Sequence, residues 1–359
     1  LAEYKSTLTN DELEELVKKT KELKEYQDTP SSQEDLEKIP MLELSDIKRE
    51  PAKDYNDVKS VDGIKIVHHN IFTNKIAYIN MSFDTKCVPD ELIPYMGLLG
   101  STLSLMDTKN YTYPELTNEI NINCGGLATG TALYSDKVDF SKNTIVYEVK
   151  SKALYEKVPF VLGMMEEIMY NTRFDDYKRL KEIIARIKSR LEASLMGQGH
   201  SIAMLECCAQ FSESAYYSDI LRGYKYYEFI KKLDEAFEQN KTQIVDKLNK
   251  LVGYIFNKDN VIVSLTADDE GYDCFVKALS AKSCNIKDEH YNTAVRSFIP
   301  VNVKTGYTSA SQVQYVARCG NFVKDGYKYT GALKVLKVIF SYDYLWINVR
   351  VKGGAYGCM

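Results

Sequence analysis

The stretch Lys75-Ile76-Ala77-Tyr78-Ile79-Asn80-Met81-Ser82-Phe83 alternates apolar and polar side chains, which is typical of a β-strand with one buried face. A shorter alternation at 64–67 precedes it, and an apolar segment at 91–106 with the length of a helix follows it. Further strands are predicted at 127–134 and 144–149. Two strands, a helix and then more strands predict an α+β layer, a mostly antiparallel sheet with helices packed on it.

Downstream of the first strands the periodicity is mainly helical. Helices are predicted at 113–120, 152–170, 175–195, 202–211, 226–237 and 241–252, followed by a closing strand at 261–265 and a closing helix at 272–279. These elements predict one domain over residues 53–290.

Residues 1–52 are predicted to be a charged helical segment outside the core of that domain. Thr9-Asn10-Asp11-Glu12 is a capping box, and apolar residues follow it with helical spacing. The stretch Asp28-Thr29-Pro30-Ser31-Ser32 breaks this helix, and a second short helix is predicted at 33–38. The pattern indicates a helical hairpin.

Composition excludes several classes of function. The chain has 359 residues, 45% hydrophobic content and a net charge of −4 with both signs interspersed, so we expect neither nucleic acid nor a membrane as a partner. It contains no apolar run long enough for a membrane span, and no signal-peptide pattern at its first residues. Eight cysteines without a C-x-x-C pair predict reduced thiols rather than a zinc ribbon or a disulfide framework.

Two short matches within the chain predict an internal repeat. Ala77-Tyr78-Ile79-Asn80 resembles Gln314-Tyr315-Val316-Ala317, and Cys124-Gly125-Gly126-Leu127 resembles Lys352-Gly353-Gly354-Ala355. We therefore expect a second copy of the domain to start at 291–359, with a strand at Gln314–Ala317, and to stop after its first helix. Such a truncated copy exposes strand edges, which makes self-association plausible.

The stretch Arg350-Val351-Lys352-Gly353-Gly354-Ala355-Tyr356-Gly357 places a fixed cation and a phenol on either side of a glycine-rich turn. Arg offers a planar fork of donors and Tyr one directional O–H, so the pair can stabilise an oxyanion. Gly353 and Gly354 let a backbone approach closely. The alternative is structural, with Arg350 in a salt bridge across a sheet and Tyr356 packed as one of 27 tyrosines.

This motif resembles the signature of the C-terminal half of the pitrilysin or insulinase family of zinc metallopeptidases, and most of all its presequence-protease and falcilysin-like branch. The tract 23–27 together with 39–42 resembles the linker between the two halves of such enzymes. The resemblance implies four α+β domains in a full enzyme. This chain would hold the linker (1–52), a catalytically silent domain (53–290) and the truncated start of another (291–359), and we expect it to be a piece of a longer protein.

The resemblance also implies where the metal is bound. Active domains of this family carry an H-x-x-E-H motif on a helix, with two His as zinc ligands and Glu as the base. None of the four His here fits that motif, and Tyr95, Leu98 and Leu99 stand at the positions of the first ligand, the base and the second ligand. We expect Zn²⁺ in the N-terminal half of the full-length enzyme and none in this chain, which would be inactive alone.

By the same resemblance, Arg350 and Tyr356 are catalytic residues that reach the substrate carbonyl beside the zinc, and Gly353 and Gly354 bind substrate. The implied function is a metalloendopeptidase that degrades unstructured oligopeptides in a closed chamber, in the cytoplasm or inside an organelle. Its expected partners are the N-terminal catalytic half and unfolded peptides. The competing hypotheses are a non-catalytic scaffold subunit and a free-standing peptide-binding module.

Other residues have a bland interpretation that the sequence favours over a functional one. We expect His68-His69 to be a structural pair rather than a metal site, His200 to have a loop or cap role, and Cys207-Cys208 to be core thiols rather than a redox centre. Glu166-Glu167 is interpreted as a pair of solvated carboxylates. The aromatic run at 215–227 either lines the chamber or, as we prefer, packs in the core.

Overall fold

The computed structural model describes residues 4, 7–51, 53, 55–139, 141–281, 286–308 and 312–358. The chain divides into two compact units, Leu1–Asp54 and Tyr55–Met359. The predicted boundaries of 1–52, 53–290 and 291–359 concern domains of a longer enzyme, and they stay a prediction.

The first unit contains the helices α1 (Asn10–Asp28) and α2 (Gln33–Glu37) and a 3₁₀ turn at Leu44–Asp46. The predicted capping box at the start of α1 is confirmed, because Glu12 N donates to Thr9 Oγ1 at 3.3 Å and Thr9 N donates to Glu12 Oε2 at 2.8 Å. α1 ends two residues before Pro30, as the sequence predicts.

The second unit is built on a six-stranded sheet with the order β1-β2-β6-β3-β5-β4. Its strands are β1 (Asp57–Val61), β2 (Ile64–Asn70), β3 (Ile76–Asp84), β4 (Leu127–Ser135), β5 (Asn143–Leu154) and β6 (Val261–Ala267). Only β2 and β6 pair in parallel, and the other described pairs are antiparallel. The sheet is therefore mostly antiparallel, as predicted.

Helices fill the sequence between and after these strands. They are α3 (Ile93–Thr102), α4 (Tyr113–Asn123), α5 (Val158–Tyr170), α6 (Tyr177–Gly197), α7 (Gly199–Ala209), α8 (Glu213–Arg222), α9 (Tyr224–Glu235), α10 (Phe237–Ile255), α11 (Asp269–Ser280) and α12 (Ala332–Ile339), which continues as a π-helix at Phe340–Lys352. The helices α3, α5 and α11 pack on the sheet, and α6, α8, α9 and α10 pack on α3. The predicted α+β class is confirmed.

Alternation along each strand separates the two faces of the sheet. In β3, Ile79, Met81 and Phe83 are buried under the helices, while the intervening residues Tyr78 and Asn80 lie on the opposite face and are exposed or partly exposed. The same period of two runs through β5 and β6. One face of the sheet therefore belongs to the core, and the other carries mostly polar side chains.

Two boundaries and one element differ from the sequence predictions. Residues 152–154 end β5 rather than begin a helix, because β5 keeps its pairing with β3 through Leu154. The sequence predictions missed the short edge strand β1 and the helix α8.

The predicted strand at Gln314–Ala317 is wrong. Residues 288–308 and 312–331 contain no helix or strand. A strand needs a neighbouring backbone with unpaired donors and acceptors, whereas Tyr315 lies beside the helix α7, with its ring 6.0 Å from the ring of His200. A helix surface offers no such ladder, so this segment stays extended and irregular.

Candidate functional site

The glycine pair after the π-helix reverses the chain. Gly354 has a φ of +73°, in the left-handed region that favours glycine, and a side chain at Gly353 would place its Cβ 2.6 Å from the carbonyl oxygen of Val349. Gly354 N donates to Arg350 O at 3.0 Å, and Ala355 N donates to Val349 O at 3.2 Å. These two bonds satisfy carbonyls that the end of a helix leaves open. Both glycines are thus required by the turn.

This turn brings together the two residues that the sequence singles out. Arg350 Nη1 donates to the backbone carbonyl of Tyr356, and the guanidinium carbon lies 5.7 Å from the centre of the Tyr356 ring. The same guanidinium lies 4.4 Å from the centre of the Trp346 ring, a cation–π distance. The Tyr356 side chain is 90% exposed. The arrangement presents a cation and a phenol side by side to solvent; the catalytic role of the pair stays a prediction.

The two Gly-Gly stretches matched in the sequence share a local geometry. Cys124 caps the end of α4 and Lys352 ends the π-helix, and in each case two glycines follow. The second glycine has a positive φ in both, +103° at Gly126 and +73° at Gly354. The matched residues therefore have the same structural role at these two places.

A second feature, which the sequence analysis missed, is a charged cluster on the open face of the sheet. Glu148 is buried and accepts hydrogen bonds from Lys150 Nζ at 2.6 Å, Asn80 Nδ2 at 2.9 Å and the Tyr134 hydroxyl at 2.9 Å. Burial acts to raise the pKa of Glu148, but the three hydrogen bonds outweigh it and hold the pKa below its ordinary value. Glu148 is therefore a stable carboxylate.

A groove of about 480 Å³ lies beside this cluster on the same face. Its lining comes from four strands and from the glycines before β4: Tyr78, Ile79, Asn80, Gly125, Gly126, Leu127, Ala128, Lys150, Ser151, Lys152, Ser264 and Thr266. The alternation of polar residues at 148, 150 and 152 was the available sequence signal, but the pairing of β5 with β3 and of β3 with β6 was needed to see the groove.

The comparisons with known proteins decide the family. A family model described as a domain associated with the C subfamily of the pitrilysin peptidases matches residues 1–233, and the model of the "PreP C-terminal domain" matches residues 306–359. The chain belongs to this subfamily of pitrilysin peptidases. This membership confirms the resemblance to the presequence-protease branch.

Curated relatives of this pitrilysin-family chain agree. It is 39% identical over 362 residues to "Protein HypA" of Clostridium perfringens, covering 99% of this chain and 36% of the relative. It is 29% identical to "Presequence protease 1, chloroplastic/mitochondrial" of Arabidopsis thaliana, covering 99% and 33%, and 26% identical to "Presequence protease, mitochondrial" of Yarrowia lipolytica, covering 99% and 36%. The chain thus spans about a third of the length of these relatives.

In this pitrilysin-family chain, helix α3 does not offer a zinc site. Tyr95, Leu98 and Leu99, which stand where the family would carry ligands and base, are all buried against neighbouring helices. The Tyr95 hydroxyl accepts from Lys247 Nζ at 3.2 Å, and its ring lies edge-on to Phe229 at 4.8 Å. Two leucines have no donor atom for a metal, so these residues do not fit the ion. Over the described part of the chain, no three His, Cys, Asp or Glu side chains group closely enough to hold one.

The histidines at the end of β2 have structural partners. His68 is buried, with Nε2 2.9 Å from Ala267 O and its ring 4.6 Å from that of Tyr272. His69 Nδ1 lies 2.9 Å from Tyr55 O. The structural interpretation of this pair is confirmed. His200 lies in the first turn of α7, beside Tyr315.

The interpretation of Glu167 as a solvated carboxylate is wrong. Its side chain is buried and accepts from Asn110 N at 3.0 Å, Asn110 Nδ2 at 2.8 Å and Asn171 Nδ2 at 2.7 Å. Burial acts to raise the pKa of Glu167, and these bonds together with one to Thr108 hold it below the ordinary value. The carboxylate fastens the loop before α4 to α5. Its neighbour Glu166 is partly buried.

The adjacent cysteines on α7 contact the irregular segment near residue 317. Cys208 Sγ lies 3.2 Å from Cys319 Sγ, and Cys207 Sγ lies 4.0 Å from Ala317 O. Burial raises the pKa of the Cys207 and Cys319 thiols. All three are thiols with intermediate exposure.

The aromatic run at 215–227 packs rather than lining a cavity. Tyr217 and Tyr226 are buried in the core, and the Tyr224 ring lies 4.0 Å from that of Tyr307. The preferred interpretation of this run is confirmed. Among the described residues, no helix has the length and apolar character needed to cross a membrane.

Proposed function

We propose that this chain is the C-terminal-half portion of a zinc-dependent metalloendopeptidase that degrades unstructured oligopeptides in a closed chamber. The zinc ion and the Glu base belong, in this proposal, to the N-terminal catalytic half of the same polypeptide, where the metal supplies Lewis-acid chemistry. The present chain supplies no zinc ligand and contributes Arg350 and Tyr356. It is therefore inactive alone.

One observation carries this proposal: the Arg350 guanidinium and the Tyr356 ring lie together on one glycine turn. The bond from Nη1 to the Tyr356 carbonyl uses one donor of a five-donor fork, and the phenol faces solvent. Donors fixed before the reaction stabilise a developing oxyanion without reorganising during it. Gly353 and Gly354 carry no side chain that would keep a peptide backbone away.

The relatives support the reaction class and the surroundings. Two of them are named presequence proteases, of chloroplast and mitochondrion in one case and of mitochondrion in the other. We accordingly propose unfolded peptides as substrates and a compartment interior, either the cytoplasm or an organelle, as the location. Self-association of this chain is a further prediction, which light scattering tests.

A second candidate function is a non-catalytic scaffold or peptide-binding subunit. It is favoured by the buried Tyr95, Leu98 and Leu99, which leave α3 without chemistry. A scaffold has no use for an oxyanion donor pair, so the two candidates differ in whether Arg350 and Tyr356 affect a rate.

The experiment mixes this chain with the zinc-binding N-terminal half of the same protein and follows hydrolysis of a quenched unstructured peptide, with and without a chelator. We expect chelator-sensitive activity in the mixture only, and a loss of roughly 10²- to 10³-fold for Arg350→Ala. Lys352→Ala, a neighbouring cation with no assigned role, is the matched control and should keep the activity. Association of the halves without activity would favour the scaffold.

A further inference from the structure

The groove on the open face of the sheet is a grid of cross-strand pairs. Tyr78 on β3 pairs with Thr266 on one side and Lys152 on the other. One row along, Asn80 pairs with Ser264 and Lys150. Side chains that are direct cross-strand neighbours have Cβ atoms about 5 Å apart, so each row forms a continuous surface.

Charges in this grid are unequally matched. Lys150 is held by Glu148, whose carboxylate also accepts from Asn80 and Tyr134. Lys152 differs: in the described residues no carboxylate lies within ion-pair distance of its Nζ. Its aliphatic stem lies over Gly125, where an added Cβ would sit 2.7 Å from the Lys152 Cε. The groove therefore has one cation whose charge no carboxylate in this grid balances.

The rest of the lining is suited to an apolar group. The Tyr78 side chain is 44% exposed and lies directly across from Lys152. Leu127 and Ala128 form the rim on β4, and the volume of about 480 Å³ is within the range of small-ligand sites. A single cation beside an aromatic ring and aliphatic side chains matches one carboxylate attached to an apolar group, and it matches a multiply charged phosphate poorly.

We propose that this groove binds the C-terminal residue of an extended peptide, with the terminal carboxylate on Lys152 and the last side chain against the ring of Tyr78. The inference rests on the proposed peptidase function, because each hydrolysis of a peptide bond creates a new C-terminal carboxylate. The groove then holds either the end of a substrate or a freshly cut product. It is a binding site separate from the turn that carries Arg350.

The test measures binding without hydrolysis. A fluorescently labelled unstructured peptide that ends in an apolar residue is titrated with this chain alone, in chelator and at moderate salt, and its anisotropy is compared with that of the same peptide as the C-terminal amide. We expect the free acid to bind about tenfold more tightly, as for one partly buried charge-assisted hydrogen bond. Lys152→Met should abolish the difference, and Tyr78→Ser should weaken both peptides.

The matched control is Lys65→Met, since Lys65 is an exposed lysine on the same face outside the groove. It should leave the preference for the free acid intact. Equal affinity for acid and amide, or a preference that survives Lys152→Met, would overturn the inference. Arg350→Ala should not alter this binding, so a preference that depends on Lys152 can persist even if the mixed halves show no hydrolysis; failure of one proposal is thereby distinguished from failure of the other.

Discussion

Arg350 and Tyr356 are joined across the glycine turn: Nη1 of the arginine donates to the tyrosine's backbone carbonyl, while the two side chains lie 5.7 Å apart, measured from guanidinium carbon to ring centre. The contact makes the position of the phenol depend on the arginine and on the turn itself. Because Trp346 is the chain's single tryptophan and also touches this guanidinium, the arrangement has an intrinsic fluorescent reporter.

Replacing the left-handed glycine should open the turn. Gly354→Ala forces an L-residue to a φ of +73°, which costs roughly 1–2 kcal/mol, so the turn relaxes and Arg350 moves relative to Trp346. We expect a changed Trp346 emission spectrum and easier acrylamide quenching. Gly357→Ala, at an open position with no positive φ, is the control. Identical spectra for Gly354→Ala and the wild type would show that the turn does not hold this contact.

The buried carboxylate on the open face should make stability depend on pH. The folded state holds the pKa of Glu148 below its ordinary value, so its stabilisation is complete above the unfolded-state pKa and is lost as the pH falls through the folded-state pKa. Glu148→Gln should lower the free energy of unfolding in urea by about 1–3 kcal/mol at pH 7, and by less in the acid range. Glu156→Gln, an exposed site, is the control. A deficit that stays constant down to about pH 3 would contradict this account.

Rebuilding the family's metal motif on α3 should fail. Leu98 and Leu99 are fully buried, so the combined substitutions Tyr95→His, Leu98→Glu and Leu99→His place polar groups in the core and cost several kcal/mol. We expect a lowered Tm and no stoichiometric zinc in dialysed protein. Leu98→Ala alone should cost about 2–5 kcal/mol through its cavity. A stable triple variant that retains one zinc ion would show that α3 is far less committed to packing.

The irregular segment near residue 319 can be tested by cross-linking. Since the Sγ atoms of Cys208 and Cys319 lie 3.2 Å apart, treatment with diamide, which accepts the two electrons and two protons of the thiols, should join them in a disulfide. Peptide mapping should find this pair in the wild type, and Cys208→Ser should abolish it. Cross-links of Cys319 to Cys87 or Cys274 instead would contradict the placement of this segment on α7.

Much of the sheet and of the turn was accessible from the sequence. Strict alternation from Lys75 to Phe83 predicted β3, and the capping box at Thr9 predicted the start of α1, because both signals are local. The pairing of Arg350 with Tyr356 followed from glycines whose conformation only that residue adopts readily.

The failures of sequence reasoning are non-local. The segment at 314–317 has strand-like residues, but a strand forms only when a partner backbone is present, and Tyr315 meets a helix instead. Glu167 is buried because the two asparagines at 110 and 171 reach it, a contact across more than fifty residues in one case. The groove at Lys152 likewise depends on the order of four strands, which no single segment encodes.

The most direct test of the central claim is the single-turnover rate of peptide hydrolysis by the mixed halves, comparing Tyr356→Phe with Tyr342→Phe, an exposed tyrosine on the π-helix. Both variants lose only a hydroxyl. The account predicts a rate roughly 10²- to 10³-fold lower for Tyr356→Phe, with association of the halves unchanged and Tyr342→Phe at the wild-type rate. Equal rates for Tyr356→Phe and wild type, in a mixture that associates and hydrolyses peptide, would contradict the role of Tyr356 as an oxyanion donor.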